Sequence, residues 1–438
     1  MKRLKALLAL VLAMTMLAAC GGAEEPEMAV EPAAETTTET GTETETVAEP
    51  VAEEPMASGE PLQMLWWSDG IEGDVMQTVI DDFTAETGIE IQLVTLGWDD
   101  YASKLKTMIR GGEAPALIRA TEGTVGEFKD FLVPLDDAFD SVEFTNVYYN
   151  DDGDTIILPI DVTSNGMYIN TDLFDKYGID YPTLGEEPWT WAEFETEVAK
   201  LVGDDVAYPG VFDNKAHRFM PMVYQFGGKM WNTPFTDSAL TEAPAVEALT
   251  TLQRMNTNGT LDPAVWAGSA NPKELFQTGK YGFHMSGNWF VAAYQELDFN
   301  WAVMPMPIGN GAGATRSTIL GGKGVSAVKE SGQEAEALKF IEFLAKAENH
   351  DKYTGGVPFL SPRLEADPDY GEFQAAYEVF QNEIASTPVD NVLDWQEQVA
   401  IAGMYPIINK AIEDAMGGED VEEVLMQLSK DLIEKAAE

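Results

Sequence analysis

The stretch LQMLWWSDGIEGDVMQTVIDDFTAETGIEIQLVTL, beginning at Leu62, constrains the fold more than any other part of the sequence. Leu62 to Trp67 is a short apolar run, Val75, Val79 and Phe83 recur at helical spacing, and Ile89 to Leu96 alternates at a period of two. A second helix is predicted over Asp99 to Arg110, closed by Gly111 and Gly112, and ALIRA then reads as a third strand. A βαβαβ order demands right-handed crossovers and an open, largely parallel sheet with helices on both faces. The same style continues, with helices around Trp191 to Val202, Ala243 to Asn256 and Gln333 to Ala347, strands in KYGFHM and NWAVMPM, and a C-terminal helix with Val421, Val424, Leu425, Leu428 and Leu432 on one face. The chain is α/β throughout, and about 380 residues beyond the N-terminal segments exceed one core, which predicts two lobes.

Those N-terminal segments have a different character. Lys2, Arg3 and Lys5 precede an apolar run from Ala6 through Leu17, too short to span a bilayer, which reads as a secretory signal over 1–19. Its end, Leu17-Ala18-Ala19-Cys20, resembles the bacterial lipobox, which implies cleavage before Cys20 and acylation of its thiol. Cys20 is the only cysteine, so internal disulfides are excluded. The tract that follows to residue 60 holds twelve glutamates and no lysine or arginine, and is expected to be a disordered spacer.

Outside leader and tract, 63 acidic residues stand against 23 basic ones. A surface this negative excludes nucleic acid and anionic lipid as partners, since both reward basic patches. Membrane attachment is therefore expected through the lipid alone. The three histidines, His217, His284 and His350, are far apart and lack H-E-x-x-H spacing, so no metal or other cofactor is expected. NDDGD from Asn150 reads as a hairpin turn, and GGKG around Lys323 lacks the P-loop Ser or Thr.

In open α/β sheets the ligand lies beyond the carboxyl ends of the strands. That rule selects Trp66, Trp67, Asp69 and Glu72 after the first strand, Glu122 after the third, Asp161 after TIILPI, and Asn288 and Trp289 after YGFHMSG. Trp66 and Trp67 point to opposite faces, leaving one free to face a crevice. Indoles interleaved with carboxylates and amides suit a sugar, whose C–H faces stack and whose hydroxyls need paired acceptors and donors.

At this point the order of motifs resembles the extracellular solute-binding proteins of ABC importers, in particular their carbohydrate-binding family. LPIDVTSNGMYINTDLFDKYGI, EEPWTWAEFETEVAKL, FQTGKYGFHMSGNW, MPMPIGNGAGATRSTILGGKG and EALKFIEFLAKAEN match that family's segments in order. The resemblance implies a two-lobed (type II) periplasmic-binding fold of mostly parallel sheets. It places one lobe at 61–162 plus 319–350 and the other at 163–318 plus 351–438. It suggests Trp66 or Trp67 and Glu72 as contacts, puts Asn288 where sugar binders often carry Asp, and places Gly322 in a crossover where backbone approaches ligand. Trp231 and Arg363 are weaker candidates. The implied function is capture of a mono- or oligosaccharide outside the cytoplasmic membrane, without chemistry on it, by a lipid-anchored monomer that delivers to a permease. A polyamine receptor of the same fold and a secreted glycosidase are the alternatives.

Overall fold

The computed structural model describes residues 59–438 apart from 68–69, 204, 358 and 400–402, and without the side chains of 99, 292 and 397–399. The leader, Cys20, the acidic tract and Asp69 lie outside the described residues. Twelve strands appear: β1 Leu62–Trp67, β2 Ile91–Leu96, β3 Leu117–Thr121, β4 Tyr148–Tyr149, β5 Thr155–Pro159, β6 Asn165–Asn170, β7 Gly210–Phe212, β8 Trp231–Thr233, β9 Asp237–Ser238, β10 Phe283–Gly287, β11 Trp301–Met304 and β12 Lys323–Ala327. They form a six-stranded sheet ordered β2-β1-β3-β12-β5-β4, a four-stranded sheet ordered β11-β6-β10-β7, and the hairpin β8-β9. Each larger sheet is the centre of one lobe.

The opening of the chain folds as its periodicity dictates. β1 lies parallel to β2 and β3, joined by helices Glu72–Thr87 and Trp98–Gly111, each closed by a left-handed glycine, Gly88 or Gly112. Alternation along β1 feeds two cores. Leu62, Met64 and Trp66 pack with Val79, Phe83 and Phe340 on one face, whereas Leu65 and Trp67 pack with Tyr101, Leu105 and Val125 on the other. The second sheet is likewise covered on both sides, by Phe212, Phe283, Leu249 and Leu428 on one and by Tyr168, Tyr294 and Phe380 on the other.

The sheets are mixed rather than mostly parallel. β12 runs antiparallel to both β3 and β5, and β6 is antiparallel to β10 and β11. The cause is the route of the chain. β12 enters the first sheet on its return from the second lobe, so it starts at the edge where β3 and β5 end.

Between the sheets, the crossing segments bond to one another. Val162 N–H donates to Leu360 O at 2.9 Å, while Thr163 and Gly321 exchange bonds of 2.8 and 3.1 Å. Asn288 locks this junction from the second lobe: its Oδ1 accepts from Ser164 N at 3.0 Å and its Nδ2 donates to Val162 O at 3.0 Å. The last crossing falls later than the 350/351 boundary expected from sequence. Tyr353, Val357 and Phe359 belong to the first sheet's core, Leu360 pairs with Val162 and Arg363 with Phe144, and Leu360 and Tyr370 pack in the second lobe's core, so the crossing spans Leu360 to Tyr370. The helix Ala347–Gly356 runs through that boundary and packs against the helix Glu72–Thr87. Among the described residues no helix is long and apolar enough to cross a membrane.

Asn288 has no exposed surface and both ends of its amide are used. Asn288→Asp keeps its shape but turns a second oxygen toward the Val162 carbonyl, and should cost about 1–3 kcal/mol in urea unfolding. An unchanged midpoint would show that the junction is not held there.

Candidate ligand site

The carboxyl ends of β1, β2, β3 and β5 and the amino end of β12 share one edge of the first sheet, and the chemistry gathers there. Glu122 follows β3 as the first residue of the helix Glu122–Phe128. Its half-buried carboxylate lies 3.3 Å from where a Cβ on Gly321 would stand. Burial pushes its pKa up to about 7; backbone N–H groups, including that of Gly322, and the Lys323 ammonium oppose the rise, while the Asp161 charge adds to it.

Asp161 follows β5 with no exposed surface. It accepts from Lys323 N at 2.8 Å and lies 3.4 Å from the Lys323 ammonium, which sits 4.4 Å from the centre of the Phe359 ring. Burial raises the Asp161 pKa, against the pull of Lys323 and Arg119. Tyr148, from β4, donates to Asn146 Oδ1 at 3.1 Å; burial and the Glu122 charge hold its phenol well above the usual range.

The second lobe supplies rings. Trp289, half-buried after β10, packs against the core of the first lobe. The Lys323 ammonium stands 6.0 Å from its ring centre and the Arg218 guanidinium 5.0 Å. Its ring folds back over Gly287, where an added Cβ would sit 2.0 Å away, so the glycine is required for this rotamer. His217 meets Trp289 edge-on at 5.9 Å and stacks on Tyr405 at 5.6 Å, its Nδ1 bonded to the Tyr405 hydroxyl. Burial, with Arg218 beside it, holds His217 well below its ordinary pKa, so the imidazole is neutral at neutral pH. Burial holds the Tyr405 phenol high, and the charge of Glu122 acts on it in the same direction. Gln396 Nε2 also reaches across to Asn146 Oδ1, at 2.9 Å.

Behind the rings lies a buried polar network. Arg218 donates to Asp213, Asn165, Ser286 Oγ at 3.2 Å and Met285 O at 3.2 Å, and His284 bridges Asp213 at 2.8 Å and Tyr294 at 2.6 Å. Burial opposes ionisation of Asp213, but Arg218, His284 and Ser286 outweigh it and keep its carboxyl far below the usual range.

Of the residues singled out from sequence, Glu122, Asp161, Gly322 and Trp289 come together, with Asn288 at the floor of the junction. A Cβ on Gly322 would stand 2.3 Å from Asn146 Nδ2 and 2.6 Å from Asp161 O, so backbone is all that fits there. The others lie apart. Trp66 and Trp67 have almost no exposed surface, and the buried Arg119 guanidinium is 4.6 Å from the ring centre of each. Glu72, also buried, accepts from Gly70 N at 2.6 Å and lies 3.5 Å from Arg119. Trp231 packs in the second lobe's core against Phe235, and its backbone N–H donates to Asp394 at 3.1 Å. Arg363 forks onto Asp351 with two 2.9 Å bonds.

Sequence reasoning missed His217, Arg218, Tyr405, Tyr148, Asn146 and Gln396 as members of this cluster. Tyr148 carried a signal, since it precedes the NDDGD turn that returns the chain into β5. His217, Arg218, Tyr405 and Gln396 come from helices and Asn146 from the bend before β4, where a rule about the carboxyl ends of strands has nothing to say. Among the described residues no group of three or more His, Cys, Asp or Glu side chains could hold a metal ion. Two surface hollows of about 500 and 530 Å³, around Arg254 and beside Trp189, lie on the second lobe and include none of the gathered residues.

Comparison with known proteins agrees with this architecture. A binding protein of Brucella abortus (strain 2308) is 27% identical over 323 residues, 68% of this chain and 75% of its own length. The maltodextrin-binding protein MdxE of Bacillus subtilis (strain 168) is 23% identical over 350 residues, 74% of this chain and 79% of its own. Among solved structures, the ABC substrate-binding protein Lmo0181 of Listeria monocytogenes, in complex with cycloalternan, superposes with a TM-score of 0.69 at 23% identity, covering 85% of this chain and 97% of that one. Residues 67–351 match the family described as bacterial extracellular solute-binding protein, a span that includes Glu122, Asp161, His217, Trp289 and Lys323, and the chain belongs to that family.

Proposed function

We propose that the protein is the sugar-capturing receptor of an ABC importer, binding a mono- or oligosaccharide between its lobes and releasing it unchanged to a permease. One observation carries this reading: Trp289 from the second lobe, grouped with the rings of His217 and Tyr405, stands 6.0 Å from the Lys323 ammonium that pairs with Asp161 in the first. Stacking faces opposed to hydrogen-bonding groups are what a pyranose requires. The names of two similar proteins, a maltodextrin binder and a cycloalternan complex, support carbohydrate as the class. A polyamine fits less well, because it would have to displace the Lys323 ammonium already beside Asp161. A glycosidase reading finds no support in the family, whose work is binding.

In this reading Glu122, Asp161, Gly322 and Trp289 contact or border the ligand, joined by Tyr148, His217 and Tyr405. Asn288 and the Arg218 network hold the frame. Trp66, Trp67 and Glu72 act one layer back, fixing the turn after β1. Ligand favours the closed arrangement only to the extent that it binds that arrangement better. The Gln396 to Asn146 bond and the Trp289 to Lys323 contact span the lobes and add to its effect. Cys20 carries a lipid after removal of residues 1–19, and tethers a monomer to the outer face of the cytoplasmic membrane through the acidic spacer.

Trp289→Ala should weaken sugar binding at least about tenfold in calorimetric titration, a loss of ~1.4 kcal/mol; unchanged affinity would remove Trp289 from the site. Glu122 supplies a pH test. Its folded pKa, about 7, lies above the ordinary carboxyl value of 4.5, so its contribution to stability is fully present below about 4.5 and is lost as pH rises through about 7. The stability of Glu122→Gln relative to the unaltered protein should therefore climb between pH 5 and pH 8 in paired urea unfolding, and a constant difference would place the carboxyl in water. In fractionated cells, Cys20→Ser should move the protein from the membrane to the soluble extracytoplasmic fraction; retention in the membrane would refute the lipid anchor.

A further inference from the structure

Trp98 alone among the ten tryptophans is exposed, with 55% of its surface in water. It opens the helix Trp98–Gly111, directly after the Gly97 turn that ends β2, and so stands on the same edge of the first sheet as Glu122, Asp161 and Lys323. A single exposed apolar side chain needs no explanation by itself. Two features set this one apart. Trp67, itself buried, meets the Trp98 ring edge-on at 4.9 Å and in turn packs against Tyr101 at 4.6 Å, so the exposed indole is backed by a rigid aromatic stack. Ile71, 47% exposed in the adjacent turn after β1, is the other large apolar side chain left in water at the carboxyl ends of these strands.

The geometry points to Trp98 as a stacking platform at the outer end of the crevice, reached only by a sugar chain that extends beyond the unit held between Glu122 and Trp289. The inference rests on the carbohydrate reading and adds to it a determinant of chain length. β2 is two strands from β3, and at ~4.8 Å per strand Trp98 lies about 10 Å along the edge from Glu122. A single pyranose at Glu122 does not reach that far, whereas a further unit of a linear chain does. Because the indole is already ordered by Trp67, stacking on it costs little side-chain entropy.

The test is a calorimetric titration of the unaltered protein, W98A and W98F with glucose, maltose, maltotriose, maltotetraose and maltohexaose. W98A should lose roughly tenfold in affinity for the longest sugars that bind and stay within about twofold for the shortest, with W98F recovering most of the loss. The comparison across lengths within one variant cancels any general loss of folded protein. Equal effects at every length, no effect at all, or binding of glucose alone by the unaltered protein would overturn the platform while leaving the sugar receptor standing. Failure of the unaltered protein to bind any of the five would overturn the platform and remove the maltose series as ligand of the proposed receptor.

Discussion

The site depends on the mutual pairing of the segments that pass between the lobes. Val162 bonds to Leu360, Thr163 to Gly321, and Asn288 clamps Val162 and Ser164 from the far side. A crossing chain leaves one sheet before it joins the next, so its backbone groups have no sheet partners of their own, and orphaned buried amides are costly. Pairing the crossings with one another satisfies them and also fixes where their neighbours stand. Asp161 precedes the first crossing and Lys323 follows the second, so the bond from Lys323 N to Asp161 Oδ1 is a direct consequence of the junction. Gly321 and Gly322 keep the approach open; Asn146, Asp161 O and the Glu122 carboxylate occupy the space a side chain would need.

Both lobes use the same device to give the crevice a firm wall. Arg119 is buried beneath Trp66 and Trp67 and lies beside the Glu72 carboxylate. Arg218 is buried beside Trp289 and bonded to Asp213. A buried guanidinium is stable only when its charge is matched and its donors used, and truncating one partner of such a pair costs about 3–5 kcal/mol. What the arrangement provides is orientation. The Trp67 carbonyl accepts from Arg119 and the Asn165 amide from Arg218, so strand ends and rings are held by many small contacts at once. Trp66 and Trp67 thereby serve as support, and Trp98, the ring that Trp67 braces, is the one presented to water.

Much of the fold was legible because it is periodic. β1 spans Leu62–Trp67, as its apolar run indicates, and the helices that follow end at or beside the glycines that announce their ends, Gly88 and Gly112. The helix Ala216–Gln225 was not legible. Every residue from Arg218 to Gln225 is buried, so no polar face marks a period, and Pro221 reads as a break. Strand direction was misjudged for a different reason. Local sequence sets a strand's alternation, but the chain's excursion into the other lobe sets its polarity, as β12 shows. At the site, the strand-end rule found Glu122, Asp161 and Trp289 because they do follow strands. It also picked Trp67, which is buried over Arg119, a residue in the middle of β3 that nothing local distinguishes.

The overall charge and the charge of the crevice obey different constraints. Among the described residues most acidic side chains are solvent-facing, where each is screened and none chooses a ligand. Within the crevice, Asp161 is matched by Lys323 and Asp213 by Arg218, and Glu122 is held near neutrality by its own burial. An uncharged ligand can enter such a site without stranding any of these groups, because it replaces water with hydroxyls that donate and accept in the same way. A strongly cationic ligand would gain from the distant surface only at range, and would lose at contact by competing with Lys323 for Asp161. Desolvated pairs at close quarters outweigh screened charges at a distance, and on that balance the acidic exterior does not oppose a neutral, polyhydroxylated ligand within.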